Sequence, residues 1–226
     1  MFLFGTILWT PLIIYPPMMQ DLQNYPEDLT GVFLALRGLG TLCGSTLLVF
    51  INKKLDPRFI LSVGFLLQGI AGFYMSHFDI NLSAFELAWT NSLAGLGVGF
   101  VWVPLTLITF NTLDKKFLNE ASAFWHLIRN IGSSISISIT IALVIRSTAI
   151  NYADLSSFIS IFGDSTSVMP LKGTTAPSGV ESLSGLSKEI VRQSEMIGYI
   201  NAFHLYYWIA FSIIPLVWLA PLKPQN

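Results

Sequence analysis

The chain has few charged side chains and almost no cysteine. Of its 226 residues only 11% are charged and 53% are hydrophobic, whereas an average soluble domain is about 25% charged. The single cysteine, Cys43, lies within an apolar run, so neither a disulfide framework nor a cysteine-based metal site can be built. The formal net charge is −1 and there is no compact basic cluster. We therefore expect no nucleic-acid partner.

Constellations that support catalysis are also missing. The three histidines, His77, His126 and His204, fall in different segments, and neither an HExxH motif nor a paired-carboxylate spacing occurs. The GLGVG run at residues 95–99 lies inside a hydrophobic segment with no preceding strand, so it is not a dinucleotide-binding fingerprint. We predict that the chain is not an enzyme and that it holds no metal.

Six hydrophobic segments are long enough to cross a bilayer, because a ~30 Å hydrocarbon core needs about 20 apolar residues in a helix. They comprise residues 2–18, 29–51, 58–75, 85–110, 119–146 and 200–219. The sequence therefore predicts an all-α, multi-pass membrane protein of six transmembrane helices. Its expected location is the plasma membrane or a bacterial inner membrane, with the lipid bilayer as its first partner.

Basic residues are confined to alternate short links between these segments. The links at 52–58 and 111–120 contain lysine or arginine, as does the tail at Lys223, whereas the links at 20–28 and 76–83 contain neither. Positive charge in short loops marks the cytoplasmic side of a membrane protein. Both termini are therefore predicted to be cytoplasmic.

Residues 147–199 form a long stretch, rich in serine, glycine and threonine, on the predicted outer side. The two ends of this stretch are weakly amphipathic, which predicts short helices at the membrane interface around a flexible middle from residue 163 to 185. A solvated connector without a function is the alternative interpretation.

The fifth segment carries a charged side chain near its middle. Arg129 belongs to a polar stripe whose members recur every three or four residues and so share one helix face. The stripe comprises Ser122, His126, Arg129, Ser133, Ser136 and Thr140. A charge inside the bilayer costs several kcal/mol, so it usually faces protein or a water-filled path. Arg129 either pins helices together by bonding carbonyls or takes a direct part in a substrate or ion path.

The second and fourth segments are rich in glycine at spacings that let helix backbones approach closely. The helix-packing candidates are Gly40, Gly44, Gly95, Gly97 and Gly99. Pro104 follows in the fourth segment, where it can bend the helix, and Arg37 lies ~12 Å inside the second. We predict a cavity that combines aromatic rings with uncharged polar groups. Its residues are Trp9, Tyr15, Asn91, Trp102 and Thr106.

Four runs of sequence occur in the order typical of the second half of a major facilitator transporter. They are LRGLGTL at 36–42, NKKLDPR at 52–58, GLGVGFVWVPLTLITF at 95–110 and SAFWHLIRNIGSSISISI at 122–139. The chain most resembles the EmrB/QacA type of multidrug:proton antiporter, which has fourteen spanning helices. The resemblance covers nearly the whole chain apart from the stretch at 147–199.

The resemblance implies that the chain is the C-terminal six-helix half of a two-bundle fold. In that fold the first and fourth segments line the central cavity, the second and fifth meet the other bundle, and the third and sixth face lipid. It places Arg37 in an arginine–glycine motif, and Arg129, Asn130 and Gly132 in an arginine–asparagine–glycine motif. It also implies a cytoplasmic gate loop, in degraded form, at Lys53, Lys54, Asp56, Pro57 and Arg58. Cavity or gating candidates are Arg37, Asn91, Trp102, Pro104, Thr106, His126, Arg129, Asn130 and Ser133.

The function implied by the resemblance is proton-driven efflux of amphipathic small molecules or drugs by alternating access. No cofactor is expected, and the proton is the expected coupling ion. A single bundle cannot rock against itself, so the missing N-terminal bundle or a second chain is an expected partner, and a periplasmic adaptor is a further one. The alternative is a membrane interaction or assembly protein that transports nothing, or a truncated, inactive half-transporter.

Overall fold

The computed structural model describes residues 1–51, 56–110, 113–157 and 179–219. These residues form long α-helices and no strand. The helices are α1 (Phe2–Pro17), α2 (Glu27–Ile51), α3 (Pro57–Met75), α4 (Ala84–Phe110), α5 (Leu118–Ser157) and α6 (Gly179–Trp218). Each contains a stretch long and apolar enough to cross a bilayer. The prediction of an all-α protein with six transmembrane helices is thus confirmed.

The helix ends follow from short sequence signals. α4 begins with a capping box, in which the Ser83 amide donates to a Glu86 carboxylate oxygen at 2.9 Å and the Glu86 amide donates to Ser83 Oγ at 3.2 Å. α3 begins with Pro57 directly after the N-cap residue Asp56, where a missing amide proton costs nothing. α1 passes into a π-helical turn at Met18–Leu22, directly after its two consecutive prolines.

The helices pack as one bundle in which the neighbours, in order, are α2, α4, α3, α6, α5 and α1. The row closes on itself because α1 also contacts α2 and α4. The Arg37 guanidinium donates to the Leu8 carbonyl at 3.2 Å, and the rings of Phe4 and Trp102 meet edge to face at 5.7 Å. Apolar residues of α1, α3, α4 and α6 fill the core.

Glycines set the contact between α2 and α4. A Cβ at Gly95 would overlap the backbone of Arg37, and a Cβ at Gly40 would overlap the backbone of Ser92. One at Gly99 would lie 2.8 Å from the Ser45 amide nitrogen. The two backbones therefore lie against each other without intervening side chains, as the glycine spacing predicted.

The C-terminal part of α5 and the N-terminal part of α6 differ from the sequence prediction. The stretch at 147–199 was expected to hold short interfacial helices, but residues 147–157 continue α5 without a break and residues 179–199 continue α6. The two helices stay paired there, since Asn201 donates to Ser147 Oγ at 2.6 Å and Thr148 packs on Gly198. The extension of α6 also packs on the turn at Met18–Leu22, where Arg192 Nε donates to the Leu22 carbonyl at 3.0 Å. Its weak amphipathic pattern reflects these two contacts. The flexible middle was predicted at 163–185, and its part at 163–178 lies outside the described residues.

Two helices leave long apolar faces uncovered. On α2 the exposed side chains include Leu39, Leu42 and Phe50, and on α5 they include Ile131 and Ile135. α2 is one end of the row of neighbours, beside α4, whereas α5 lies beside α1, which is the other end. The bundle therefore presents two apolar ridges on the side where α1 and α4 lie between them.

Candidate functional site

The guanidinium of Arg129 lies between two tryptophan rings. Its Cζ atom is 5.6 Å from the ring centroid of Trp102 and 5.6 Å from that of Trp125. The two rings meet each other edge to face with centroids 5.6 Å apart. Each contact is within the distance at which a cation is attracted by an aromatic face. We refer to Arg129, Trp102 and Trp125 as the arginine clamp.

Helix geometry explains how the clamp forms. Trp125 and Arg129 are four residues apart on α5, so their side chains lie one above the other on one face. Trp102 comes from α4, which has few other contacts with α5. The row of rings continues from Trp102 to Phe4 on α1. The clamp thus joins α4 and α5 around one positive charge, and the Phe4 ring links it to α1.

The clamp arginine keeps part of its hydrogen-bonding capacity. Nη2 donates to Asn130 Oδ1 at 3.2 Å, and Nε has no protein partner. No carboxylate pairs with this guanidinium among the described residues. Arg129 is partly exposed, and its neighbours His126 and Asn130 are exposed. The planar Arg129 guanidinium can therefore bind a carboxylate or another planar anion on its exposed side, next to His126 and Asn130.

The outward half of the polar stripe on α5 packs against α1 instead of facing a path. A Cβ at Gly132 would overlap the backbone of Phe2, which brings the two helices into contact. Ser133 Oγ donates to the Gly5 carbonyl at 3.3 Å, and Ser136 Oγ lies 3.1 Å from Thr10 Oγ1 and 3.2 Å from the Thr6 carbonyl. Here the stripe holds two helices together.

We expect Ser136→Val to destabilise the bundle by about 1 kcal/mol, because it removes the bonds of Ser136 Oγ to Thr10 Oγ1 and to the Thr6 carbonyl, which then keep only the 2.7 Å bond that joins them to each other. Ser138→Val is the matched control on the same helix, since Ser138 is exposed and bonds only its own helix at Ser134. The measurement is thermal unfolding in lipid nanodiscs. Equal midpoints for the two variants would contradict a pinning role for Ser136.

Arg37 does not lie on an open cavity. Its side chain is 4% exposed and points into the bundle, although the resemblance placed α2 against the other half. The prediction that Tyr15 and Asn91 line the cavity with Trp102 is also wrong, since both are 0% exposed inside the bundle. Trp9 is exposed, so the structure does not bring the predicted set together.

The remaining candidates are placed as follows. Pro104 is buried in α4, and Thr106 Oγ1 bonds the Trp102 carbonyl of its own helix at 2.8 Å. Gly97 packs on α3, where a Cβ would lie 2.8 Å from the Gly64 carbonyl oxygen, and one at Gly44 would lie 2.6 Å from the Leu96 oxygen of α4. In the predicted gate loop, Asp56, Pro57 and Arg58 form the start of α3, whereas Lys53 and Lys54 lie outside the described residues.

Sequence reasoning missed three polar or aromatic residues of the interior. Trp125 completes the clamp, and its spacing of four residues from Arg129 is the signal that could have identified it. Gln68 and Tyr206 are buried at 0% and 1% and bond each other at 3.1 Å. Each is an isolated polar residue in an apolar run, so no local pattern marks their pairing.

Sequence comparison gives relatives with transport functions. The chain is 23% identical over 222 residues to multidrug export protein EmrB of Escherichia coli K12, covering 97% of this chain and 42% of that protein. It is 27% identical over 216 residues to the probable multidrug resistance protein EmrY of the same strain, covering 92% and 41%. It is 22% identical over 212 residues to fatty acid resistance protein FarB of Neisseria gonorrhoeae, covering 92% and 41%.

The similarity confirms the resemblance to EmrB-type multidrug export proteins. No family model matches the chain. The chain spans about two fifths of the length of the curated relatives that it matches.

Proposed function

We propose that this relative of the EmrB-type multidrug export proteins forms one half of a secondary transporter that exports amphipathic small molecules. Transport would proceed by alternating access and be driven by protons. The chain would supply one wall of the central cavity, with the arginine clamp as the polar group of that wall. The observation that carries the proposal is a partly exposed guanidinium that lies against two tryptophan rings and has no carboxylate partner within the described part of the chain.

The clamp suits amphipathic molecules that carry an acidic group. A guanidinium binds a carboxylate through two parallel hydrogen bonds, and aromatic walls accept the apolar part of the same molecule. One similar protein is named for fatty acid resistance and two for multidrug export or resistance. Those names agree with an apolar substrate that has a polar head.

The uncovered ridges of α2 and α5 support pairing with a second bundle. Two rows of large apolar side chains flank α1 and α4 on one side of the bundle, and alternating access requires two bundles around one site. The partner would be an N-terminal bundle or a second copy of the chain. The orientation with both termini in the cytoplasm stays a prediction, as does a periplasmic adaptor.

Transport in everted membrane vesicles tests the proposal. Vesicles would contain the chain alone, or the chain co-expressed with the first half of Escherichia coli EmrB, and would be energised to an acidic interior. We expect accumulation of a fluorescent amphipathic carboxylate that a protonophore abolishes. Accumulation in vesicles that contain the chain alone would identify a second copy as the partner. Accumulation only after co-expression would identify an N-terminal bundle.

Vesicles without the chain provide the baseline. If neither arm exceeds that baseline although the chain inserts and pairs, the export proposal is wrong and the chain acts in assembly or interaction only. If accumulation persists with the protonophore, proton coupling is contradicted but export is not.

A further inference from the structure

A second guanidinium lies inside the bundle, away from the clamp. It belongs to Arg37 of α2, and buried polar side chains of four other helices lie in the same otherwise apolar core. They are Tyr15 of α1, Gln68 of α3, Thr90 and Asn91 of α4, and Tyr206 of α6. Each is between 0% and 4% exposed. We call this set the interior polar cluster.

Several members of the cluster bond one another. The Tyr206 hydroxyl donates to Gln68 Oε1 at 3.1 Å, and the hydroxyls of Tyr15 and Thr90 are 3.0 Å apart. Arg37 Nη2 donates to the Leu8 carbonyl at 3.2 Å. The guanidinium also interacts electrostatically with the two tyrosine hydroxyls. These bonds join α6 to α3 and α1 to α4, and the Arg37 guanidinium lies near both tyrosines and within hydrogen-bonding reach of the Tyr206 hydroxyl.

Asn91 belongs to the same layer of the bundle. It lies one turn before Gly95, whose α-carbon rests on the backbone of Arg37. Its neighbour Thr90 holds the Tyr15 hydroxyl. Asn91 is 0% exposed, so its side chain is on the inner side of α4, one turn from the point at which α4 touches the Arg37 backbone.

The hydrogen bonds of the cluster do not balance. Three buried donor groups have no partner among the described residues: Arg37 Nη1, Gln68 Nε2 and Asn91 Nδ2. The one acceptor of the cluster without a partner is Asn91 Oδ1. A buried donor left unpaired costs about 1–3 kcal/mol, so three of them in one place indicate a missing acceptor.

The charge of the cluster does not balance either. Arginine stays protonated in proteins, and Arg37 forms no ion pair with a carboxylate in the described part of the chain. A buried charge is normally paired or coordinated because its desolvation is costly. The missing acceptor should therefore carry a negative charge.

We propose that the interior polar cluster binds a small inorganic anion of the size of chloride, held by Arg37, Gln68 and Asn91. Spherical halides accept hydrogen bonds from guanidinium and amide donors without demanding a fixed geometry. The near-complete burial of all three residues leaves no room for a drug-sized molecule. The larger cavities of the described region lie elsewhere, for example between α1 and the ends of α3, α4 and α6.

The site would stabilise the folded bundle, and it is independent of the proposed export function. It joins α2, α3 and α4 around one ion, whereas the clamp lies on the open side of α4 and α5. Binding of a ligand to the native state raises the free energy of unfolding by mass action. Stability of the chain should therefore depend on the identity of the anion as well as on ionic strength.

Thermal unfolding of the full chain in uncharged nanodiscs tests the proposal. Sodium chloride is titrated against sodium gluconate at constant ionic strength, because gluconate is too large for the site. We expect chloride to raise the unfolding midpoint saturably, by about 5 °C at ~100 times its dissociation constant. Bromide should substitute for chloride, and its anomalous scattering in a crystal should locate one ion beside Arg37.

Two variants distinguish chloride binding at Arg37 from a general effect of salt on the stability of the bundle. Arg37→Met should lose the chloride dependence, and Arg146→Met, which removes an exposed arginine of α5, should retain it. If Arg37→Met does not fold, Gln68→Leu serves in its place and should weaken chloride binding at least about fivefold, the loss of about one hydrogen bond to a charged group. Equal stability of the wild-type chain in chloride and gluconate, or bromide scattering only at the surface, would overturn the proposal.

Discussion

Arg129→Ala is expected to abolish efflux by the assembled transporter. The substitution removes the positive charge at the centre of the clamp and leaves Trp102 and Trp125 with no cation between them. A hydrogen bond to a charged group is worth about 1.5–3 kcal/mol. Losing it to a substrate carboxylate corresponds to about a tenfold to hundredfold reduction in transport. Transport of an amphipathic carboxylate in energised vesicles is the measurement.

Arg146→Ala is the matched control for the clamp. It removes the same type of side chain from the same helix at an exposed position about 25 Å further along α5. It should transport at the wild-type rate. Arg129→Lys should retain part of the activity, because it keeps the charge but loses the planar fork. Wild-type efflux by a normally expressed Arg129→Ala protein would refute the role of the clamp.

Gly95→Val is expected to prevent stable folding of the bundle. A side chain at this position collides with the backbone of Arg37, which cannot move aside as a flexible side chain would. Overpacking of this kind costs about 3 kcal/mol when the surroundings relax, and here α2 must separate from α4 or shift along it. We expect at least about a tenfold drop in monodisperse protein. Size-exclusion chromatography of the detergent extract is the measurement.

Gly38→Val isolates the packing effect from helix propensity. Gly38 lies on α2 with no atom within 4 Å of a Cβ built there. Valine in place of glycine changes intrinsic helix propensity similarly at both positions, so the difference between the two variants reports the interhelical contact. If both variants eluted as wild-type monomers, close approach of α2 and α4 would not be needed for folding.

The sequence predicted the features that depend on length and small-residue spacing. Hydrophobic runs gave six spanning helices because a bilayer sets the length of each run. Gly40, Gly95 and Gly99 were identified as packing residues because only glycine allows such close backbone contact. The Arg129 stripe was identified by its period, and the structure divides it between the clamp and the contact with α1.

The direction in which a polar side chain faces could not be predicted. Polar residues such as Arg37, Tyr15 and Asn91 lie in apolar helices. The surrounding residues are apolar whether such a position faces lipid, a cavity or the interior, so a single sequence does not distinguish the three. Their burial depends on which helices become neighbours, and the Arg37 guanidinium reaches a carbonyl 29 residues away in the chain. The outer extensions of α5 and α6 were missed for a similar reason, because their helical structure depends on pairing with each other.

The close contact of α2 with α4 has a consequence for the proposed transport cycle. Helices that touch backbone to backbone cannot slide past each other without separating, so α2 and α4 should move as one unit. One face of that unit is an apolar ridge and the other carries Trp102 of the clamp.

Because α5 and α6 are long, a small rotation of the bundle would move the ends of these helices by a large distance. Each helix has 40 residues, or ~60 Å at 1.5 Å per residue. If the bundle tilts by about 15° about one end of these helices, as subunits do in known switches, the opposite ends move ~15 Å. Because each helix is longer than the ~30 Å hydrocarbon core, the ends that move furthest lie beyond it.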